Sequence, residues 1–306
     1  MTATTLSDRL SRPPILMAAG VYDPLTALIA ERTGFEALYV SGAGIAYTRL
    51  GRPDIGLVSL SEVVETVELI RDRVGVHLIV DADTGYGNAL NVERTVRLLE
   101  RAGASAIQIE DQDFPKRCGH LDNKSLIPAQ QMVGKIKAAI DARRSAQTLI
   151  IARTDAIAVE DFERAMARAA LFREAGADVL FIEAPRKHDE LRRIGARFGK
   201  SAPLLANMVE GGKTPILPAS ELEELGFAVV IFAAGVVRAV ARTAEDFYAS
   251  LKANGSTEPF HARMFDFDGL NHLLGTPETL ARGRRYESLE PHGDSQHKSM
   301  KAGKPK

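Results

Sequence analysis

Residues 176–183 read GADVLFIE and residues 103–110 read GASAIQIE: in both, a glycine, a short apolar run, then a carboxylate seven positions after the glycine. The same plan recurs as GFEALYVS at 34–41 and GFAVVIFA at 226–233. Each copy follows a segment of helical periodicity, and its glycine suits the left-handed position that closes a helix. The apolar runs do not alternate, which is the pattern of strands buried on both faces of a parallel sheet. Four further runs of the same kind lie between them: ILMAAG from Ile15, HLIVDAD from His77, TLIIARTD from Thr148 and PLLANM from Pro203. Helical patterns separate the runs. Val92, Val96, Leu99 and Ala102 share one face, as do Phe162, Ala165, Ala169 and Phe172, and Val237, Val240, Ala241, Ala244, Phe247, Tyr248 and Leu251 mark a long helix ending near Gly255. Eight alternating βα units predict an α/β protein of the (β/α)8 TIM-barrel class, over an open doubly wound sheet. The barrel is expected over residues 1–255, a helical extension over 256–290 containing HARMFDFDGLNHLLG, and a basic, disordered tail over 291–306.

A chain of 306 residues, 45% hydrophobic, can bury a full core without staples. One cysteine excludes an internal disulfide, no signal-like apolar segment opens the chain, and the longest apolar run, LGFAVVIFAAGVV, stops before Arg238. A cytoplasmic enzyme without a membrane partner is the expectation. A formal net charge of −1 gives no pull toward nucleic acid, and the basic end HKSMKAGKPK has no aromatic residues for base stacking.

In such a barrel the chemistry sits at the carboxyl ends of the strands. Those ends read Ser41, Glu110, Glu183 and Ala233 in the four glycine repeats, with Asp81 and Asp83, Arg153 and Asp155, and Asn207 on the others. Alternation along a strand lets Asp81 and Asp83, or Arg153 and Asp155, project together. Taken singly, each is as easily a helix cap or a structural ion pair; five of eight ends with charged or amide side chains make a site. Asp81, Asp83 and Glu110 are hard oxygen donors, so the implied metal is Mg²⁺ or Mn²⁺ and not zinc, and Asp54 in the loop after the second strand is a further candidate.

The lone cysteine, Cys118, lies in FPKRCGH, in the loop after the fourth strand. Lys116, Arg117 and His120 beside it are expected to lower the thiol pKa, and Gly119 lets the backbone approach a ligand. A bystander thiol, a covalent nucleophile and a proton donor all remain open, and the charged surroundings favour a functional role. Other motifs fail. EGGKTP at 210–215 has Asn207 where a phosphate loop needs its first glycine, and GAGIAY from Gly42 has Tyr47 where a dinucleotide fingerprint needs its third. There is no HExxH pair and no G-x-S-x-G elbow.

VSGAG, LGRPDIG, VDADTGYGN, IEDQ, KRCGH, ARTDA and ANMVEGGKTP occur in this order, and together the chain resembles the isocitrate lyase and phosphoenolpyruvate mutase superfamily over residues 10–290. KRCGH is the mark of its carbon–carbon lyase branch, and within that branch the chain is similar to 2-methylisocitrate and 2,3-dimethylmalate lyases. The resemblance implies a helix-exchanging homotetramer and Mg²⁺ held directly by Asp81, with Asp54, Asp83 and Glu110 acting through water. It implies a keto-acid carboxylate bound by Ser41, Gly42 and Ala43, an oxyanion facing Arg153, and a departing carboxylate met by Glu183, Asn207, Arg117, Gly119 and His120. Cys118 would give a proton to carbon under a closing loop. Tyr39 or a metal-bound water would take the substrate's hydroxyl proton. Oxaloacetate decarboxylase, phosphonomutase or a non-catalytic carboxylate-binding barrel are the alternatives. Where methylisocitrate lyases carry Tyr-Pro-Leu-Ser after the eighth strand, this chain has FAAG from Phe232, expected to widen the pocket.

Overall fold

The computed structural model describes residues 4–287. Eight parallel strands close a barrel in sequence order: β1 (Leu16–Val21), β2 (Ala37–Val40), β3 (His77–Asp81), β4 (Ala106–Glu110), β5 (Leu149–Thr154), β6 (Val179–Ile182), β7 (Leu204–Asn207) and β8 (Val229–Phe232), with β8 pairing back onto β1. Gly34, Gly103, Gly176 and Gly226 have φ between 93° and 104°, as the repeat requires, since only glycine takes this conformation without cost.

Strand alternation divides the apolar side chains into two layers. Ala18, Ala37, Tyr39, Ile79, Ala106, Ile151, Phe181, Leu205 and Ile231 fill the barrel, and Leu38, Val40, Leu78, Val80, Ile107, Leu180 and Val230 face the helices. The short helix Leu6–Leu10 was not evident from periodicity. Leu6 and Leu10 join the inner cluster beside Leu16, Leu149, Val179 and Val229, at the amino-terminal end of the strands, leaving the opposite end for chemistry.

The failed fingerprint after β2 is a helix Gly42–Ile45 capped by Ser41 and continuing into a π-helical segment Ala46–Leu50. The long helix after β8 runs over Gly235–Asn254, and Gly255 follows with φ 64°. The compact division of the chain falls between Ala241 and Arg242, within this helix. The carboxyl-terminal unit contains a 3-10 turn Glu258–Arg263 and helices Phe267–Leu274 and Thr276–Glu287. There the Phe247 ring meets Phe260 edge-on at 5.4 Å, and Arg263 covers the other aromatic face at 4.3 Å. The expected tail, 291–306, lies outside the described residues.

Candidate active site

Every charged strand end named above converges at the carboxyl end of the barrel. Asp81 ends β3 with Oδ1 accepting from the Gln108 side chain (3.1 Å) and from the Asp83 N–H (3.2 Å). Gln108 in turn accepts from the Tyr39 hydroxyl at 2.7 Å. Asp83 reaches the same patch by a different route from the expected alternation: it lies beyond the strand with φ 47°, a turn that folds its carboxylate back. A Cβ on Gly42 would sit 3.2 Å from Asp81 Oδ2 and 3.4 Å from Asp83 Oδ1, so the glycine spares both carboxylates a close contact. Asp54 comes from the loop after β2. The Lys116 ammonium lies 2.5 Å from Asp54 Oδ1 and 2.6 Å from Asp83 Oδ1, all three side chains buried. Burial pushes the Asp83 carboxyl up to about 7 against the pull of Lys116, with Asp81 and Asp54 adding to the rise.

Glu110 closes this half of the site. Its Oε2 lies 3.2 Å from Arg153 Nη1, and its buried Oε1 has no hydrogen-bond partner among the described residues. No three carboxylate, imidazole or thiol groups among the described residues already converge as a ready cage. A crowd of buried carboxylates with an unpartnered oxygen fits a small hard cation that keeps most of its water, such as Mg²⁺, and does not fit zinc.

The second half is built around Arg153 on β5. Its Nε and Nη2 form a fork on Asp155 at 2.9 and 3.0 Å, and the guanidinium lies 5.2 Å from the centre of the Phe181 ring. Glu183, just past β6, accepts from Asn207 Nδ2 at 3.2 Å and lies 3.0 Å from His120 Nε2. The Lys213 backbone N–H donates to His120 Nδ1 at 3.0 Å, leaving Nε2 on the Glu183 side of the ring.

The cysteine loop covers both halves. Gln112 and Leu126 pair as an antiparallel bridge at its base, and the Cys118 N–H donates to the Asp54 carbonyl at 3.1 Å. Gly119 presses on the site so closely that a Cβ would sit 2.4 Å from Arg153 Nη2 and 2.6 Å from Glu183 Oε1. About 50 Å³ of cavity remains beneath, lined by Tyr39, Ser41, Ala43, Asp54, Asp81 and Cys118 among others. That is room for a few waters.

Three expectations change. The Cys118 thiol pKa is raised, not lowered: burial dominates and the Asp54 carboxylate adds to it. Lys116 points into the carboxylates, and Arg117 turns away from the cavity, donating through its N–H to Gln112 Oε1 (2.9 Å) and through Nη1 to the Asp122 carbonyl (3.3 Å). Tyr39 is fully buried and its phenol pKa is driven up, first by burial and then by Asp81, so it holds its proton. Gln108, Tyr47, Lys124, Val209, Ala234 and Arg238 are site or loop-anchoring residues that sequence reasoning missed. Only Arg238, one turn beyond β8, carried a signal, as a cation near a strand end.

A family model described as phosphoenolpyruvate phosphomutase matches residues 6–252. The chain belongs to the phosphoenolpyruvate mutase/isocitrate lyase superfamily, and it is an enzyme of that group. It is 48% identical over 270 residues to 2-methylisocitrate lyase of Aeropyrum pernix, covering 88% of this chain and 86% of that one. It is 40% identical over 274 residues to 2,3-dimethylmalate lyase of Eubacterium barkeri, covering 90% and 94%. Among solved structures of the superfamily, a 2,3-dimethylmalate lyase superposes with a TM-score of 0.86 at 34% identity, over 94% of this chain and 96% of that one. A phosphonopyruvate hydrolase in complex with oxalate and Mg²⁺ gives 0.83 at 29% identity, over 92% and 98%.

Proposed function

We propose that the protein is a Mg²⁺-dependent carbon–carbon lyase that cleaves a 2-hydroxy-2-alkyl di- or tricarboxylate of the 2-methylisocitrate or 2,3-dimethylmalate type. The products are pyruvate and a second carboxylic acid, succinate or propionate. The observation that carries this reading is Cys118, the only thiol of the chain, held over Arg153 and the carboxylate cluster by a loop that leaves almost no solvent. A thiol whose pKa is raised keeps its hydrogen until a stronger base appears, which suits a proton donor to carbon and disfavours a resting thiolate nucleophile.

Asp81, with Asp54, Asp83 and Glu110 behind it, would hold the metal; when bound it binds the α-hydroxycarboxylate and lowers the hydroxyl pKa. The chain's own groups do the rest. Ser41 and Ala43 line the cavity and Gly42 lies against Asp81 and Asp83, and these three would bind the keto-acid carboxylate. Arg153, a fixed cation in a buried site, meets the negative charge that appears on the substrate hydroxyl oxygen as its proton leaves, the oxygen that becomes the keto group. Glu183 and Asn207, which lie together, would contact the departing carboxylate, and the backbone near Gly119 and His120 would hold its far end. The hydroxyl proton passes to a water at the carboxylate cluster, and the C–O⁻ left behind becomes the keto group as the C–C bond breaks. The electron pair of that bond stays on the departing fragment, and Cys118 supplies the proton that neutralises that carbanion. Loop closure excludes water, which strengthens each of these charge contacts.

The working enzyme is a cytoplasmic homotetramer with exchanged helices. A thiol that must stay reduced fits that compartment. Support for assembly comes from the long helix after β8, whose apolar residues Val240 and Tyr248 are 46% and 66% exposed. Equilibrium sedimentation yielding a monomer at micromolar concentration would remove this part. The function is tested by pyruvate release from 2-methylisocitrate, 2,3-dimethylmalate, citramalate, oxaloacetate and phosphoenolpyruvate, with and without EDTA. Turnover confined to oxaloacetate or phosphoenolpyruvate refutes the lyase reading, and binding without turnover of any of them makes the barrel a non-catalytic one.

A further inference from the structure

Lys124 carries a charge that the chemistry above leaves unused. It sits near the end of the cysteine loop, yet its side chain is only 1% exposed. Its Nζ lies 3.3 Å from Asp155 Oδ1, on a carboxylate that is 0% exposed, and it also donates to the Gly119 carbonyl. The same Asp155 accepts the fork from Arg153, and its N–H is fixed by Asp111 Oδ1 at 3.0 Å. One carboxylate therefore joins an ammonium that belongs to the loop and a guanidinium that belongs to the barrel. An exposed lysine pair contributes little, whereas a desolvated one offsets its own desolvation only in good geometry and is costly to leave half made.

Building on the lyase reading, we propose that Lys124 is a positioning residue that latches the closed loop onto Asp155 and thereby readies Arg153 for a substrate oxyanion. With the loop open, Asp155 serves Arg153 alone and neutralises it. When Lys124 arrives, Asp155 divides its charge between two cations, and more of the guanidinium's field is left for the substrate. The bond to the Gly119 carbonyl makes the same ammonium set the glycine against Arg153 and Glu183. The step is electrostatic and moves no proton.

Because Cys118 is the only thiol, its alkylation by iodoacetamide in the full chain reports loop opening independently of turnover. In the presence of Mg²⁺ and oxalate, Lys124→Met is expected to alkylate about tenfold faster than wild type, with kcat lowered about tenfold and KM within about threefold. Lys124→Gln keeps a donor without the charge, so it should recover part of the protection and little of the rate. The melting temperature should stay close to wild type, since Asp155 retains Arg153. Alkylation at the wild-type rate overturns the latch, and faster alkylation with unchanged kcat overturns its coupling to Arg153. Failure of both variants to fold would make Lys124 structural and overturn the proposal as well. If wild type turns over no substrate of the panel, the lyase reading falls while the alkylation result still decides the latch.

Discussion

Gly119→Ala isolates the closed loop from every other feature of the site. Gly119 has no left-handed φ, so alanine brings no backbone strain there and acts through its methyl group alone. That carbon would stand 2.4 Å from Arg153 Nη2 and 2.6 Å from Glu183 Oε1, about 1 Å inside the ordinary contact distance. Neither neighbour can yield cheaply. Arg153 is pinned by Asp155 and Glu110, and Glu183 by Asn207. The loop must therefore stand off by about 1 Å, carrying the Cys118 sulfur with it. Misplacement of a reacting group on that scale costs about 10²-fold, or about 2.7 kcal/mol in the transition state. Pyruvate release under kcat/KM conditions reads this directly, with Cys118 alkylation as the independent measure of loop position. Unfolding free energy should change by less than about 1 kcal/mol, since the loop lies outside the packed layers. A variant that cleaves within threefold of wild type, or that loses activity only in proportion to a lost fold, refutes the claim that chemistry requires this closed loop.

Four other outcomes follow from the same geometry. Cys118→Ser should fold and bind metal normally yet lose about 10²- to 10⁴-fold in cleavage, the range of a lost general acid; wild-type turnover would end its role as proton donor. Asp81→Ala should abolish the rise in melting temperature that Mg²⁺ gives the wild-type protein by mass action, a comparison made by thermal shift with EDTA as control. Tyr39→Phe strips Gln108 Oε1 of its donor and should cost about 1–3 kcal/mol of stability in urea titrations, with kcat within a few-fold; a loss beyond about 10³-fold would restore Tyr39 as the base. Glu100 is partly desolvated, but the N–H groups of Arg144 and Ser145 and the Thr148 hydroxyl outweigh this and lower its pKa. Its contribution is thus present above the unfolded value of about 4.3 and lost as pH falls through the folded one. Because Glu100 is mostly solvated, Glu100→Gln should cost under about 1 kcal/mol at pH 7, and the cost should shrink as pH falls below the unfolded value.

Eight unalternating runs and four glycines forced into left-handed turns were enough to specify a closed parallel barrel, because burial on both faces and helix termination are local demands written into local residues. The charged strand ends were legible for the same reason: a carboxylate or guanidinium at the end of an apolar run has few structural reasons to be there. What Cys118 senses was not legible. Its sequence neighbours Lys116 and Arg117 are cations, but folding turns one into the carboxylates Asp54 and Asp83 and the other outward to Asp122, and leaves Cys118 half-buried near Asp54, so partial desolvation and that carboxylate reverse the direction of its pKa shift. Likewise Asp83 joins Asp81 through a turn, and Lys124 meets Asp155, 31 positions away in the chain, through the path of the cysteine loop. Strand and helix follow from short-range pattern and hydrophobic period, whereas a site's electrostatics depend on which charges share a dry space, and that is decided only by the three-dimensional path of the chain.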